Sequence, residues 1–256
     1  DRLSVLRVLD LFSGIGGFSL GLERAGMRTV AFCEREPHLR QLLAERWPGI
    51  PCHEDVKTLP AISADVVCGG FPCQPVSHAG KRMGAEDDRW LWPFMLRAVE
   101  RSGSSWVIGE NVAGLDGLGL DEAIDDLEAI GYQVAPPLEI PAYAVGANHE
   151  RIRIWIVAYS ERNCVQRRKA QAAGRKAERR AQQLPGLLFP SIGDAVSAAR
   201  VWRADHGIPA RMDVRRNVAV GNAVVPQIPE IIGRAILQAE AEMTSLYATH
   251  DEGLKP

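Results

Sequence analysis

The chain is expected to adopt an α/β fold built on a mostly parallel sheet, and three observations predict it. Short apolar runs alternate with amphipathic helical stretches, each run breaks at a glycine- or proline-containing turn, and the alternation lapses only between residues 160 and 213. The first run, Val5 to Phe12, reads as a strand. It ends in Ser13-Gly14-Ile15-Gly16-Gly17 and hands over to a helical pattern through Phe18, Leu20, Leu22 and Ala25 that stops at Gly26. A second strand is expected from Thr29 to Cys33, followed by Glu34 and by a helix that Pro37 opens and Pro48-Gly49 closes. A third short unit ends near Asp55. Ala64 to Cys68 reads as a buried strand running into Gly69-Gly70-Phe71-Pro72-Cys73. Beyond it are expected a helix near Leu91 to Glu100, a strand at Trp106 to Gly109, a helix near Asp121 to Ile130, and strands around Val134 to Tyr143 and Arg151 to Ala158. After the lapse, Val218 to Pro226 and an amphipathic helix from about Pro229 to Glu242 resume the pattern.

The 256 residues are 46% hydrophobic and 24% charged, which excludes a wholly disordered chain, a collagen-like chain and a coiled coil. No stretch reaches the roughly 18 consecutive apolar residues of a membrane span, and residues 1 to 25 carry no signal-peptide pattern, so a cytoplasmic protein is expected. The five cysteines, Cys33, Cys52, Cys68, Cys73 and Cys164, form no CxxC pair and no zinc-type cluster with histidines. Neither a disulfide framework nor a metal site is expected. The net charge of −2 argues weakly against a nucleic-acid partner, but it is unevenly distributed. Residues 160–213 hold eleven basic side chains against five acidic ones, a net of +6, and the remainder of the chain carries −8.

Four constellations carry chemistry. A glycine-rich turn between strand and helix lets backbone approach a ligand, and Glu34, ending the next strand, suits ribose hydroxyls. Ser19 stands where a dinucleotide fingerprint has its third glycine, which favours a nucleoside-bearing cofactor without a pyrophosphate; a tight turn serving helix packing alone is the alternative. Cys73 follows Pro72 at the carboxyl end of a parallel strand, where α/β sites form, and is either a small structural residue or a nucleophile. Glu110, in Glu110-Asn111-Val112, ends the next strand similarly and is either solvated or a general acid whose pKa burial raises. Arg151 and Arg153 flank Ile152 and so lie on one face of a strand, as a solvated edge or as a clamp for a polar base.

With these residues in their order, the chain resembles the cytosine-C5 DNA methyltransferases that use S-adenosylmethionine. Asp10-Leu11-Phe12-Ser13-Gly14-Ile15-Gly16-Gly17 is similar to the family's cofactor motif, and Gly70-Phe71-Pro72-Cys73-Gln74-Pro75-Val76-Ser77-His78-Ala79-Gly80 to its nucleophile loop. Glu110-Asn111-Val112 resembles the acid motif, Arg151-Ile152-Arg153 the arginine motif and Val220-Gly221-Asn222-Ala223-Val224-Val225-Pro226 the C-terminal motif. The resemblance implies a Rossmann-like sheet with a small target-recognition insert, divided as residues 1–159, 160–213 and 214–256. It implies that Cys73 adds to C6 of a flipped-out cytosine while Glu110 contacts N3, that Arg153 bonds O2, and that Arg151 orients Glu110. Phe12, Gly14 and Gly16 would line the cofactor site, with Glu34 on the ribose, Asp55 on the adenine amino group and Asn222 closing it.

The implied partner is double-stranded DNA, contacted by Gln74, Ser77, Lys81, Arg82 and Arg89 in the closing loop and by phosphate-binding Arg167, Arg168 and Lys169 in the insert. A monomer is expected, with a cognate restriction endonuclease an open possibility. The chain departs from the family at Asn148-His149, usually Pro-Gln, and at Arg35, usually aromatic. It also departs in the shortness of its recognition region, as in compact phage and prophage members. The penultimate arginine-rich motif has at most a remnant, at Gly207 to Arg211 and Arg215-Arg216. A tRNA cytosine-C5 methyltransferase, whose Cys-Phe-Thr signature is missing, and a non-catalytic DNA-binding relative are the alternatives.

Overall fold

A computed structural model describes residues 5–72, 90–112, 118–173 and 223–252. Eight strands form one sheet: β1 (Arg7–Leu11), β2 (Arg28–Cys33), β3 (Cys52–His53), β4 (Val66–Gly69), β5 (Trp106–Val112), β6 (Gln133–Val134), β7 (Leu138–Pro141) and β8 (Ile152–Tyr159). Their order is β3-β2-β1-β4-β5-β8-β6, and β7 shares the outer edge of β8 with β6. The five strands from β3 to β5 run parallel. β8 runs antiparallel to β5, so its amino-terminal end lies at the carboxyl end of β5, with Val112 opposite Arg153. That reversal brings the arginine motif to the end of the sheet where the parallel strands finish. The edge formed by β6 and β7 breaks at Pro136-Pro137, which lack the N–H groups needed to pair with β8.

Among the described residues six α-helices accompany the sheet: α1 (Gly17–Ala25), α2 (Pro37–Arg46), α3 (Trp92–Ser102), α4 (Leu118–Ala129), α5 (Glu161–Ala173) and α6 (Gln227–Glu252). Adjacent strand residues point to opposite faces, so the core divides in two. Val8, Val66, Ile108, Trp155 and Val157 pack with Phe18 and Leu22 of α1 and Ile228, Ile232 and Ile236 of α6. Leu9, Val67, Val107, Ile154 and Ile156 pack with Trp92, Met95 and Val99 of α3 and Leu127 of α4. Both faces of the inner strands are therefore apolar, as a sheet covered on both sides requires. α6 lies close to α1 because Gly21 has no side chain. A Cβ there would collide with the Pro226 carbonyl.

The expected boundary at residue 160 falls inside this packed body. α5 follows β8 directly, Cys164 is buried, and Ser160 N–H donates to the Ser105 carbonyl at 2.9 Å. Asn163 Nδ2 donates to the Ser104 carbonyl at 2.8 Å. The start of α5 packs on this body through Asn163 and Cys164.

Candidate active site at the carboxyl ends of the strands

Glu110 and Asn111 sit near the end of β5, both buried although polar. The Glu110 Oε1 faces Arg153 Nε at 3.2 Å and Arg151 Nη2 at 3.9 Å. Arg151 precedes β8 with φ of 25°, a left-handed conformation that a non-glycine residue holds only where its surroundings enforce it. Burial pushes the Glu110 carboxyl above its ordinary value, and the two arginines oppose that shift without cancelling it. The result is a buried carboxyl anchored between two cations.

The carboxyl also lies against the segment that leads to Cys73. A Cβ on Gly70 would stand 2.9 Å from Glu110 Oε2, so glycine there permits the approach. Asn111 Nδ2 donates to the Phe71 carbonyl at 2.8 Å, and the buried Phe71 ring is wedged between Trp90 and Trp92 at 5.8 and 5.1 Å. Asn111 thus fixes the backbone two residues before Cys73. Its position in the motif was legible in the sequence; this hydrogen bond, made to a residue 40 positions away, was not.

At the end of β1 the glycine-rich turn takes left-handed backbone, with φ of 54° at Phe12, 56° at Gly14 and 84° at Gly16. Glu34, 8% exposed, accepts from Gly14 N–H at 2.7 Å through Oε2 and from Glu36 N–H at 2.8 Å through Oε1. Asp55 Oδ1 accepts from Lys57 N–H at 2.9 Å. β2 pairs with β3, and Glu34 N–H donates to the His53 carbonyl at 2.9 Å, so the two carboxylates end neighbouring strands. The space where a Gly14 Cβ would stand is open. An open turn beside Glu34, with Asp55 one strand farther out, suits a ligand with ribose hydroxyls and an adenine amino group, and repels one with phosphates; S-adenosylmethionine fits that description.

Beneath the turn, Asp10 is fully buried. Its Oδ2 accepts from Ser19 Oγ at 2.7 Å and Ser19 N–H at 3.2 Å, and burial, outweighing those bonds, pushes its pKa to about 7.

Cys73, Gln74, Ser77, Lys81, Arg82, Arg89 and Asn222 lie outside the described residues, as does the side chain of Lys169. The phosphate-binding role expected of Arg167 and Arg168 is corrected. Arg167 Nη2 lies 2.6 Å from Glu240 Oε2, and Arg168 Nη2 lies 3.0 Å from the same oxygen, with Arg167 only 9% exposed. Both guanidinium groups clasp α5 to α6 instead of presenting charge to a ligand.

Among the described residues no helix is long and apolar enough to cross a membrane. Residues 6–194 match the family described as C-5 cytosine-specific DNA methylase. The chain is 34% identical over 165 residues to the Type II methyltransferase M.HgiBI of Herpetosiphon aurantiacus, covering 61% of this chain and 38% of that protein. Among solved structures, a prophage-encoded E. coli chain proposed to be a DNA modification methyltransferase superposes with a TM-score of 0.53. It has 24% identity and the match covers 81% of this chain and 56% of that one. A mutant of Spodoptera frugiperda DNMT2 gives 0.52 at 20% identity, over 60% of this chain and 50% of that one. At those identities the two structures speak to the fold. The chain spans about two fifths of the length of the curated relatives it matches. The match to three quarters of the sequence, on a sheet that gathers the acid and arginine motifs at one end, decides the assignment: the chain belongs to the C-5 cytosine-specific DNA methylase family.

Proposed function

We propose that the chain is a DNA (cytosine-5-)-methyltransferase that acts on a flipped-out cytosine through a covalent bond between Cys73 and C6. One observation carries this reading. The buried Glu110 is held by Arg151 and Arg153 against the backbone three residues ahead of Cys73.

The Cys73 thiolate adds to C6 as Glu110 gives a proton or hydrogen bond to N3, which places electron density on C5. The Phe12 to Gly16 turn, Glu34, Asp55 and Asn222 would hold S-adenosylmethionine, whose sulfonium would supply the methyl group to C5 and leave as the neutral thioether S-adenosylhomocysteine. Loss of the C5 proton to solvent, with the N3 proton returned to Glu110, then lets the C5–C6 double bond re-form and expels the thiolate. Arg153 bonds the base at O2, and Arg151 holds Glu110 in place. Because C6 is unreachable in a stacked duplex, the target leaves the helix for this pocket.

The test is transfer of labelled methyl groups to duplex DNA and to tRNA side by side, with Cys73→Ala as control. Labelled DNA with the native chain and none with the variant supports the reading. Label on tRNA alone, or label on DNA that survives Cys73→Ala, overturns it.

A further inference from the structure

We infer that Arg40 is a positioning residue for the cofactor site, tying together the two loops that carry Glu34 and Asp55. This rests on the reading that those carboxylates hold S-adenosylmethionine. Arg40 stands at the end of the first turn of α2. Its Nη1 donates to the Glu34 carbonyl at 3.2 Å and also to the Arg35 carbonyl, and its Nη2 pairs with Glu54 Oε2 at 3.3 Å. One planar guanidinium therefore spans the end of β2 and the loop after β3, one residue before Asp55.

Helix stability does not explain an arginine here. A cation near a helix amino terminus opposes the helix dipole, so the placement works against α2 locally and is offset by contacts outside the helix. Those contacts are two backbone carbonyls and a carboxylate, all belonging to the loops in question.

The other end of α2 is pinned in the same neighbourhood. Trp47, which follows the helix, lays its ring on Gly16, where a Cβ would stand 2.5 Å from the ring. Its Nε1 donates to Glu23 Oε2 at 2.8 Å, and its ring meets Phe32 at 5.3 Å. α2 thus braces the glycine-rich turn with its last residues and the carboxylate loops with its first. With both ends fixed, rotation of the Glu34 loop away from Asp55 requires breaking the Arg40 bonds.

The experiment is calorimetric titration of S-adenosylmethionine into the 256-residue chain, alongside steady-state methyl transfer, for the native protein, Arg40→Met, Arg40→Lys and Glu54→Gln. Arg40→Met is expected to raise Kd and the cofactor KM together by about tenfold, the scale of lost charge-assisted bonds, while kcat at saturating cofactor stays within about twofold. Arg40→Lys, which keeps the charge but not the fork, falls between. Glu54→Gln, at an exposed pair, changes Kd by less than about threefold. A purely structural loss lowers kcat through the folded fraction and leaves KM alone. Native Kd in folded Arg40→Met, or a fall in kcat with KM unchanged, overturns the inference. Should Arg40→Met fail to fold, native KM in Arg40→Lys overturns it. Absence of cofactor binding by the native chain instead overturns the function proposed above, and this inference with it.

Discussion

Among the described residues a glutamate stands between two arginines at each end of β5, and the two behave in opposite ways. Glu110, near the end of the strand, is 9% exposed and its carboxyl is pushed above the ordinary range by burial. Glu240 of α6, against Trp106 at the start of the strand, is 5% exposed. Burial raises it too, but Arg167, a Trp106 hydrogen bond and Arg168 together bring it below the ordinary range. The difference is in the donors. Glu240 accepts from Trp106 Nε1 at 2.8 Å and from Arg168 Nη2 at 3.0 Å, and Arg167 stands 2.6 Å away. Glu110 has its arginines at 3.2 and 3.9 Å, in charge contact but not in comparably short bonds. Two nearby cations do not by themselves settle the charge of a buried carboxylate; hydrogen bonds aimed at the anion do. A saturated carboxylate is a clasp, and an undersatisfied one is available to a substrate.

The largest effect is expected from breaking the clasp. Glu240→Gln leaves two arginines at the α5–α6 contact without their counter-charge and is expected to cost about 3 kcal/mol or more in denaturant unfolding. A loss below about 1 kcal/mol makes the clasp dispensable.

Asp10 sharpens the comparison, since its described bonds come from Ser19 and not from an arginine. With its folded pKa near 7 and an ordinary unfolded value near 3.8, the folded state holds the extra proton between those limits. Stability therefore falls as pH rises through that window and levels off above it, by up to about 4 kcal/mol. Asp10→Asn removes this slope in unfolding measured from pH 4 to 8; a slope that persists assigns it elsewhere.

A smaller effect separates the two arginines beside Glu110. Arg151→Met, which removes the more deeply buried cation, is expected to raise the Glu110 titration midpoint further than Arg153→Met does, read by carbon-13 NMR of the carboxyl. The reverse order would make distance, not burial of the cation, the deciding factor.

Much of this site was legible in the sequence because its parts are local. The turn after β1, the Pro72-Cys73 segment and the Glu110-Asn111 end of β5 each join a short apolar run to residues that a strand end exposes, and strand ends of a parallel sheet share one side. The antiparallel direction of β8 was not local. It depends on pairing with β5, and it is what places Arg151 and Arg153 beside Glu110. The basic stretch misled for a related reason. Arg167 and Arg168 lie on a helix whose first two turns offer only Cys164 and Val165 as apolar residues, so they count as surface charge until Glu240, 72 residues beyond Arg168, is folded against them. Arg40 was missed because its partners are mostly backbone carbonyls, which leave no mark in side-chain patterns.

The most direct test is single-turnover methyl transfer to duplex DNA by Glu110→Gln and Glu240→Gln, corrected for folded fraction. The predicted result is a loss of about 10²- to 10⁴-fold for Glu110→Gln with little change in stability, and a near-native rate for the folded part of Glu240→Gln despite its lower stability. A native rate in Glu110→Gln, or an equal loss of rate in both, would contradict the division between a poised acid and a structural clasp.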